Sequence, residues 1–371
     1  MEKIFKNKTV LITGHTGFKG SWLAIWLKHL GAKIVGIALD PPSQPSHFKT
    51  AGLEHILKDY RLDVRNHHEV RRAVLESQPD FVFHLAAQAL VRLSYENPIE
   101  TYETNVLGTI HILEALRVLK KFCTAVIITS DKCYNNVEWV WGYRETDALG
   151  GPDPYSASKA AADIAIRSYI KSFFNGPDNK VRIAVARAGN VIGGGDWAVD
   201  RIVPDCVNAW SKNEMVELRN PLATRPWQHV LDPLSGYLFL AAELSSRLEL
   251  HGEPFNFGPQ AQQNRTVLEL VEYMSHYWDK VRWKDISTQH DGPYESGLLK
   301  LNCDKALHFL GWQALLDFEQ TVRFTVQWYK YYYQNPERSM LDFSLAQIEE
   351  YIKIAKEKGM SWTKLNLIRF W

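Results

Sequence analysis

The sequence predicts an α/β fold: a doubly wound parallel sheet followed by a second, smaller α/β lobe. Two observations predict it. Short β-branched apolar runs alternate with longer amphipathic segments through the first half of the chain, and this rhythm fades near residue 190. A glycine-rich turn, GHTGFKG, stands at the first junction of strand and helix. Strands apolar along their whole length are buried on both faces, and strand–helix alternation gives parallel pairing through right-handed crossovers.

Taken in order, TVLITG (9–14) reads as a strand, and Ser21 to Leu30 as a helix with Trp22, Leu23, Trp26, Leu27 and Leu30 at helical spacing. KIVGIALD (33–40), YRLDV (60–64), FVFHLAA (81–87) and AVIITSD (125–131) read as further strands, with helical stretches at 67–77 and 98–120 between them. Tyr155 to Phe174 is a long helix and RIAVARAGNVIG (182–193) the next strand. Beyond that, GGGDW, NPLATRPWQH and FNFGPQ are rich in Gly, Pro and Trp, as loops are, while Asp232 to Leu250 is apolar and helical. The expected organisation is a dinucleotide domain over 1–189 with 227–250 returning to it, a substrate lobe from 190–226 and 251–335, and a C-terminal helical tail over 336–371, where IEEYIKIAKEKG is amphipathic. The final TKLNLIRFW has no clear place in this scheme.

The chain of 371 residues carries 43 Lys+Arg against 42 Asp+Glu, a net charge of +1 that argues against nucleic-acid or anionic-membrane partners. No apolar run nears the roughly 20 residues of a membrane span, and the charged start MEKIFKNK is not a signal peptide. Cys123, Cys133, Cys206 and Cys303 form no CxxC pair, so no metal site is expected and reduced thiols in a cytoplasmic protein are.

In GHTGFKG, Gly14, Gly17 and Gly20 fall between a strand and a helix, where backbone N–H groups and the helix N-terminus hold a pyrophosphate. The expected fold is therefore Rossmann-type, with His15, Phe18 and Lys19 completing the turn. His15 is bulky for such a loop, and its ring is expected to crowd the pyrophosphate. Asp40, closing the second strand, suits ribose hydroxyls and would repel a 2′-phosphate, which favours NAD over NADP. Asp63 and Val64 follow the third strand on the adenine side, and HLAAQ offers Leu85, Ala86 and Ala87 where a cofactor passes close to backbone. Asn105 is expected to brace that strand end, and Gln88 and Arg92 to face the substrate.

Tyr155-Ser-Ala-Ser-Lys159 places a phenol and an amine one helical turn apart on one face. The ammonium is expected to lower the tyrosine pKa and make Tyr155 a base, with Ser130 hydrogen-bonding the same reacting oxygen from the end of a strand. Arg201 and Arg225 are the cations best suited to a diphosphate, since a guanidinium fork matches phosphate oxygens.

GHTGFKG, HLAAQ, TSDKCY and YSASK, continued by GNVIGGGDW, RPWQHV and LGW, resemble the extended short-chain dehydrogenase/reductases over nearly everything up to residue 330. Within that superfamily the chain resembles the nucleotide-sugar 4,6-dehydratases. Sugar 4-epimerases usually follow the serine or threonine with small residues, whereas dehydratases carry an acid, commonly in Thr-Asp-Glu. Ser130-Asp131-Lys132 departs from that triplet at its last place, which suits the branch acting on CDP-glucose. The resemblance implies a redox-neutral dehydration with NAD: oxidation at carbon 4 with Tyr155 as base and Lys159 beside it, loss of the carbon 5 proton, and departure of the carbon 6 hydroxyl with a proton from Asp131. Lys132 stands where those relatives place the carbon 5 base. A lysine is a base only when neutral, and the alternative is that Lys132 orients Asp131 or steadies an enolate. The resemblance also assigns Asn190 to the substrate pyrophosphate and implies a homodimer or homotetramer built on 97–120 and 155–174. His290, Tyr294 and Glu295 lie where relatives often carry an arginine. Two other readings are a 4-epimerase, against which Asp131 argues, and a non-enzymatic NAD-binding scaffold, against which the intact Ser130, Tyr155 and Lys159 argue.

Overall fold

The computed structural model describes residues 1–260, 263–287 and 298–364; His290, Tyr294 and Glu295 lie outside the described residues, as does the end of the chain from 365. The main sheet has seven strands: β1 (Thr9–Thr13), β2 (Lys33–Ala38), β3 (Lys58–Arg61), β4 (Phe81–His84), β5 (Cys123–Ile128), β6 (Val181–Ala188) and β9 (Pro254–Phe257). Their order is β3-β2-β1-β4-β5-β6-β9, every pairing parallel. Four short strands, β7 (Val216–Leu218), β8 (Thr224–Pro226), β10 (Asn264–Thr266) and β11 (Trp283–Asp285), pair as β8 with β10 and β7 with β11 outside it.

Burial explains why the strands are apolar throughout. Val10, Ile12, Phe81, Phe83, Val126 and Ile128 enter one core, while the intervening Leu11, Val82, Ala125 and Ile127 enter another on the opposite face. Successive strand side chains point to opposite faces, so a doubly covered sheet needs apolar residues at every position. On the first face the helix Phe18–His29 buries Trp22 and Trp26 completely. The order turns back at β1 and β4, and ligands of such sheets bind in the crevice at the carboxyl ends there.

Three departures from the sequence reading bear on the fold. Residues 98–120 are not one helix: Pro98–Tyr102 and Gly108–Arg117 are joined by a π-helical turn, Glu103–Leu107, which turns Asn105 inward. Strand β3 ends at Arg61, before Leu62 and Val64, which are buried beyond the ladder; their apolar pattern drew the expected strand forward. Pro254–Phe257, assigned to the second lobe, instead pairs with β6 as the last strand of the main sheet. The expected tail contains the helix Leu341–Glu357, whose Ile348, Tyr351 and Ala355 are buried, with Tyr351 edge-on to Trp26 at 5.6 Å between ring centroids.

Candidate active site

The glycine turn leaves the carboxyl end of β1. Gly14 has φ +75°, and a Cβ there would lie 2.8 Å from the Ala86 nitrogen, so only glycine lets β1 and β4 approach at this point. A Cβ on Gly20 would lie 2.1 Å from the Gly14 carbonyl oxygen, which fixes how the helix seats on its turn. Gly17 caps the helix Phe18–His29 without any side-chain hydrogen bond. The first N–H groups of that helix therefore have no side chain to satisfy them, and this cradle fits a pyrophosphate. His15 does not crowd it. Its ring is fully buried, edge-on to Phe48 at 5.4 Å, with Nε2 2.9 Å from Asp59 Oδ1, so only its backbone faces the turn. Asp40 lies at the open end of β2, its side chain 95% exposed and 3.5 Å from Arg61. Asp63 accepts from Arg65 Nε at 2.8 Å and Nη2 at 2.6 Å, and those contacts hold its carboxyl below the usual range despite partial burial. Val64 is buried, and its carbonyl is 2.9 Å from His111 Nδ1.

The loop after β4 is held by its own polar groups. Ala86 N donates to Thr13 Oγ1 at 3.1 Å, while Leu85 and Ala87 are half-buried beside it. Gln88 folds back: its Oε1 accepts from Leu90 N at 2.6 Å and its Nε2 donates to Thr101 Oγ1 at 2.9 Å. Asn105, 1% exposed, accepts from Gln88 N at 2.9 Å and donates to Gln88 O at 3.1 Å and to Ser158 Oγ at 2.8 Å. Its side chain is thus spent on protein, joining the β4 loop to the helix beside Lys159.

Ser130 and Asp131 follow β5 on a short 3₁₀ turn, and Tyr155 and Lys159 lie on the helix Pro154–Phe173, which Asp153 caps by accepting from Ser156 N at 2.9 Å. All four are buried. Ser130 Oγ donates to Asp131 Oδ1 at 3.0 Å, accepts from Lys132 N at 3.2 Å, and hydrogen-bonds the Tyr155 side chain. Burial lifts the Asp131 carboxyl above its ordinary range, against the pull of Lys132, Ser130 and Lys19. Burial of this kind favours the neutral, proton-carrying form of a carboxyl.

The tyrosine differs from expectation. Burial pushes Tyr155 up to about 12, with the Asp131 charge adding to it, while the Ser130 hydrogen bond and Arg201 pull the other way. Lys159 does not offset this, because burial and the like charge of Lys19 bring Lys159 itself down to about 8. Lys19 is also brought to about 8, first by burial, and it senses Asp131 and Arg201. The helix start thus places a second amine beside the catalytic groups, a role the sequence reading did not give it.

Of the expected substrate residues, Arg201 comes nearest the chemistry: Asp196 Oδ2 accepts from it at 2.7 Å, and its charge is felt by Tyr155 and Lys19. Asn190 is exposed just past Gly189, where a Cβ would sit 3.0 Å from Asp131 Oδ2. Arg92 pairs with Asp200 at 3.2 Å, and Arg225 donates from β8 to the Thr224 carbonyl at 2.9 Å. Sequence reasoning missed Gly189, Ser158 and Ser94, whose Oγ accepts from Tyr155 N at 3.2 Å. A pocket of about 600 Å³ lies near Arg225 and is lined by Trp141, Pro226, Asn264, Asn302 and Trp312. None of Ser130, Asp131, Tyr155 and Lys159 lines it, so the chemistry is placed by the hydrogen-bonded groups and not by this cavity. Among the described residues no cluster of three His, Cys, Asp or Glu could hold a metal ion, and no helix is long and apolar enough to cross a membrane.

The chain is similar to known proteins. A CDP-glucose 4,6-dehydratase of Salmonella typhimurium is 44% identical over 355 residues, spanning 95% of this chain and 98% of that one. A CDP-paratose 2-epimerase of Salmonella typhi is 27% identical over 72% of this chain and 84% of its own length. Among solved structures, dTDP-glucose 4,6-dehydratase of Bacillus anthracis in complex with NAD superposes with a TM-score of 0.70 at 21% identity, covering 87% of this chain and 96% of that one. UDP-glucose 4-epimerase of Brucella ovis in complex with NAD gives 0.73 at 20% identity, covering 87% and 98%. The last two share the fold. The model of the GDP-mannose 4,6 dehydratase family matches residues 11–325, from within β1 to the helix Phe318–Gln334, so every catalytic group described above lies inside the match, and the chain belongs to that family.

Proposed function

We propose that the protein dehydrates CDP-D-glucose to CDP-4-dehydro-6-deoxy-D-glucose with a bound NAD. The observation that carries this reading is Asp131: a buried carboxyl whose pKa burial raises, hydrogen-bonded to Ser130 and beside Tyr155, is placed to give a proton to a departing hydroxyl, and an epimerase has no use for it. The similarity to a CDP-glucose 4,6-dehydratase over nearly the whole chain supports the substrate. The uncapped helix start at Gly17 and the exposed Asp40 support NAD.

NAD, when bound, supplies hydride acceptance at carbon 4 and hydride return at carbon 6. Tyr155 takes the proton of the carbon 4 hydroxyl, with Ser130 hydrogen-bonded to the same oxygen. A phenol held near 12 is almost wholly protonated at neutral pH and offers little phenolate to act as base. Positive charge lowers the cost of its ionisation: Arg201 brings such charge to it, and Lys159 and Lys19 can add theirs only below about pH 8, where their ammonium forms prevail. The carbon 4 ketone acidifies the carbon 5 proton, which Lys132 accepts. Asp131 gives its proton to the departing carbon 6 hydroxyl. Asn190, Arg201 and Arg225 hold the diphosphate, with Arg92 and Gln88 toward the sugar. The exposed apolar residues Ile99, Leu107 and Ile164, on the helical segments Pro98–Arg117 and Pro154–Phe173, support pairing of subunits through those segments as a homodimer or homotetramer. The product class suits deoxysugar and O-antigen assembly in the cytoplasm.

Incubation with NAD and a panel of CDP-, dTDP-, GDP- and UDP-glucose tests the reading. A 4-keto-6-deoxy product from CDP-glucose is expected, and its absence rejects the substrate. Lys132→Met should stop solvent deuterium from entering carbon 5 while carbon 4 oxidation persists. Normal deuterium entry would remove Lys132 from the role of base.

A further inference from the structure

Beneath the catalytic groups lies a buried polar junction that none of the steps above uses. Arg187, on β6 and 2% exposed, donates from Nε to Asp163 Oδ2 at 2.8 Å and from Nη2 to Asp163 Oδ1 at 2.7 Å. Its Nη1 donates to the Tyr134 hydroxyl at 2.9 Å and the Glu145 carbonyl at 3.0 Å. Asp163 Oδ2 also accepts from Thr129 Oγ1 at 3.1 Å. The Tyr134 hydroxyl passes its own proton to Asn256 Oδ1 on β9 at 2.7 Å.

The places of these residues in the chain give the junction its meaning. Asp163 lies one helical turn beyond Lys159 and two beyond Tyr155, on the same face of the same helix. Thr129 immediately precedes Ser130, and Tyr134 follows the turn that carries Asp131 and Lys132. The Arg187–Asp163 pair therefore joins the helix bearing the phenol and amine to both ends of the segment bearing the hydroxyl and carboxyl, Asp163 taking the Thr129 end and Arg187 the Tyr134 end. A fork bonded in a plane to a carboxylate fixes direction as well as distance, and a lysine has no equivalent.

We propose that Arg187, acting through Asp163, is a positioning residue that sets the Tyr155 helix in register with the Ser130–Asp131 turn. Buried ion pairs contribute little to stability in themselves, and an apolar pair of similar volume often replaces them without loss. Chemistry is less forgiving, since a displacement of about 1 Å in a catalytic group costs about 10²-fold. The inference rests on the reading that Ser130 and Tyr155 share the carbon 4 oxygen.

The test compares Arg187→Met, Arg187→Lys and the double variant Arg187→Met with Asp163→Leu in the full-length enzyme. Arg187→Met strands a buried carboxylate, so its Tm and kcat should both fall. The double variant should regain the wild-type Tm to within a few degrees, yet keep kcat about 30-fold or more below wild type with KM for CDP-glucose within about threefold. Arg187→Lys should not restore kcat. If kcat returns with Tm in the double variant, the pair is merely structural and the proposal falls. A crystal structure of the double variant gives a readout independent of turnover. The Tyr155 Oη to Ser130 Oγ separation should change by more than about 0.5 Å, and an unchanged separation overturns the proposal even if wild-type enzyme proves inactive on CDP-glucose, an outcome that would overturn only the proposed function.

Discussion

The two ends of the substrate cleft are built differently. At the reacting end Ser130, Asp131, Tyr155 and Lys159 are all buried, and neighbouring strands and helices brace them: Asn105 holds the β4 loop to Ser158, and Asp163 holds Thr129 to Arg187. At the end that the proposed reading gives to the diphosphate, Arg225 sits on β8, a strand of three residues paired with β10, and Arg92 meets Asp200 at half-exposed positions. The first end stands just beyond β5 of the seven-stranded sheet and on the helix Pro154–Phe173 beside it. The second is an appendage of short pieces. On the proposed reading, the steps that need fixed geometry fall on buried, braced groups, and recognition of the nucleotide falls where side chains exchange without disturbing the core.

This contrast predicts different kinetic signatures at the two ends. The largest effect belongs to Tyr155→Phe: kcat should fall by about 10³-fold with KM nearly unchanged in steady-state assays, since the missing proton acceptor acts in the transition state. Near-wild-type turnover would place the base elsewhere. Asp131→Asn should cost about 10²-fold in product while still oxidising carbon 4, so absorbance of reduced nicotinamide should persist in the enzyme–sugar mixture. If that absorbance never forms, Asp131 acts earlier than elimination. At the other end, Arg225→Ala should raise KM about tenfold or more with kcat within about threefold, the mark of lost uniform binding. A fall in kcat alone would erase the distinction between the ends.

The smallest expected effect is a shift of pH profile. Lys159 and Lys19 are both pushed down to about 8, so the ammonium forms prevail below that pH and are lost above it. At saturating NAD and substrate, the rate should decline as pH rises through about 8. The like charge of Lys19 lowers Lys159, so Lys19→Met should move this decline to higher pH. A decline that stays in place would show that the two amines do not communicate.

What the sequence revealed follows the same divide. Gly14, Gly17 and Gly20, and Tyr155 with Lys159, act at spacings set by one turn or one helix, so the unfolded string already displays them. The doubly covered sheet was legible because it needs apolar residues at every strand position, as Leu11 and Ile12 show by entering opposite cores. Groups that meet across the fold were not legible. Ser158 reaches Asn105 over 53 residues, and Ser94 reaches Tyr155 over 61. The four residues of β9 are too few to distinguish a strand from a loop until β6 lies beside them. Burial is equally invisible in the string, which is why Tyr155 is pushed up where the nearby Lys159 suggested a fall, and why the His15 ring lies under the sheet and away from the pyrophosphate cradle.

The central claim is that Ser130, Asp131 and Tyr155 form one rigid centre that oxidises carbon 4 and dehydrates across carbons 5 and 6. It is tested most directly by supplying NAD and CDP-glucose carrying deuterium at carbon 4 in ordinary water, then locating the label by NMR. A 4-keto-6-deoxy sugar with the deuterium in its carbon 6 methyl group is expected. Deuterium restored to carbon 4 with inverted configuration, or retained in unchanged CDP-glucose, would contradict it.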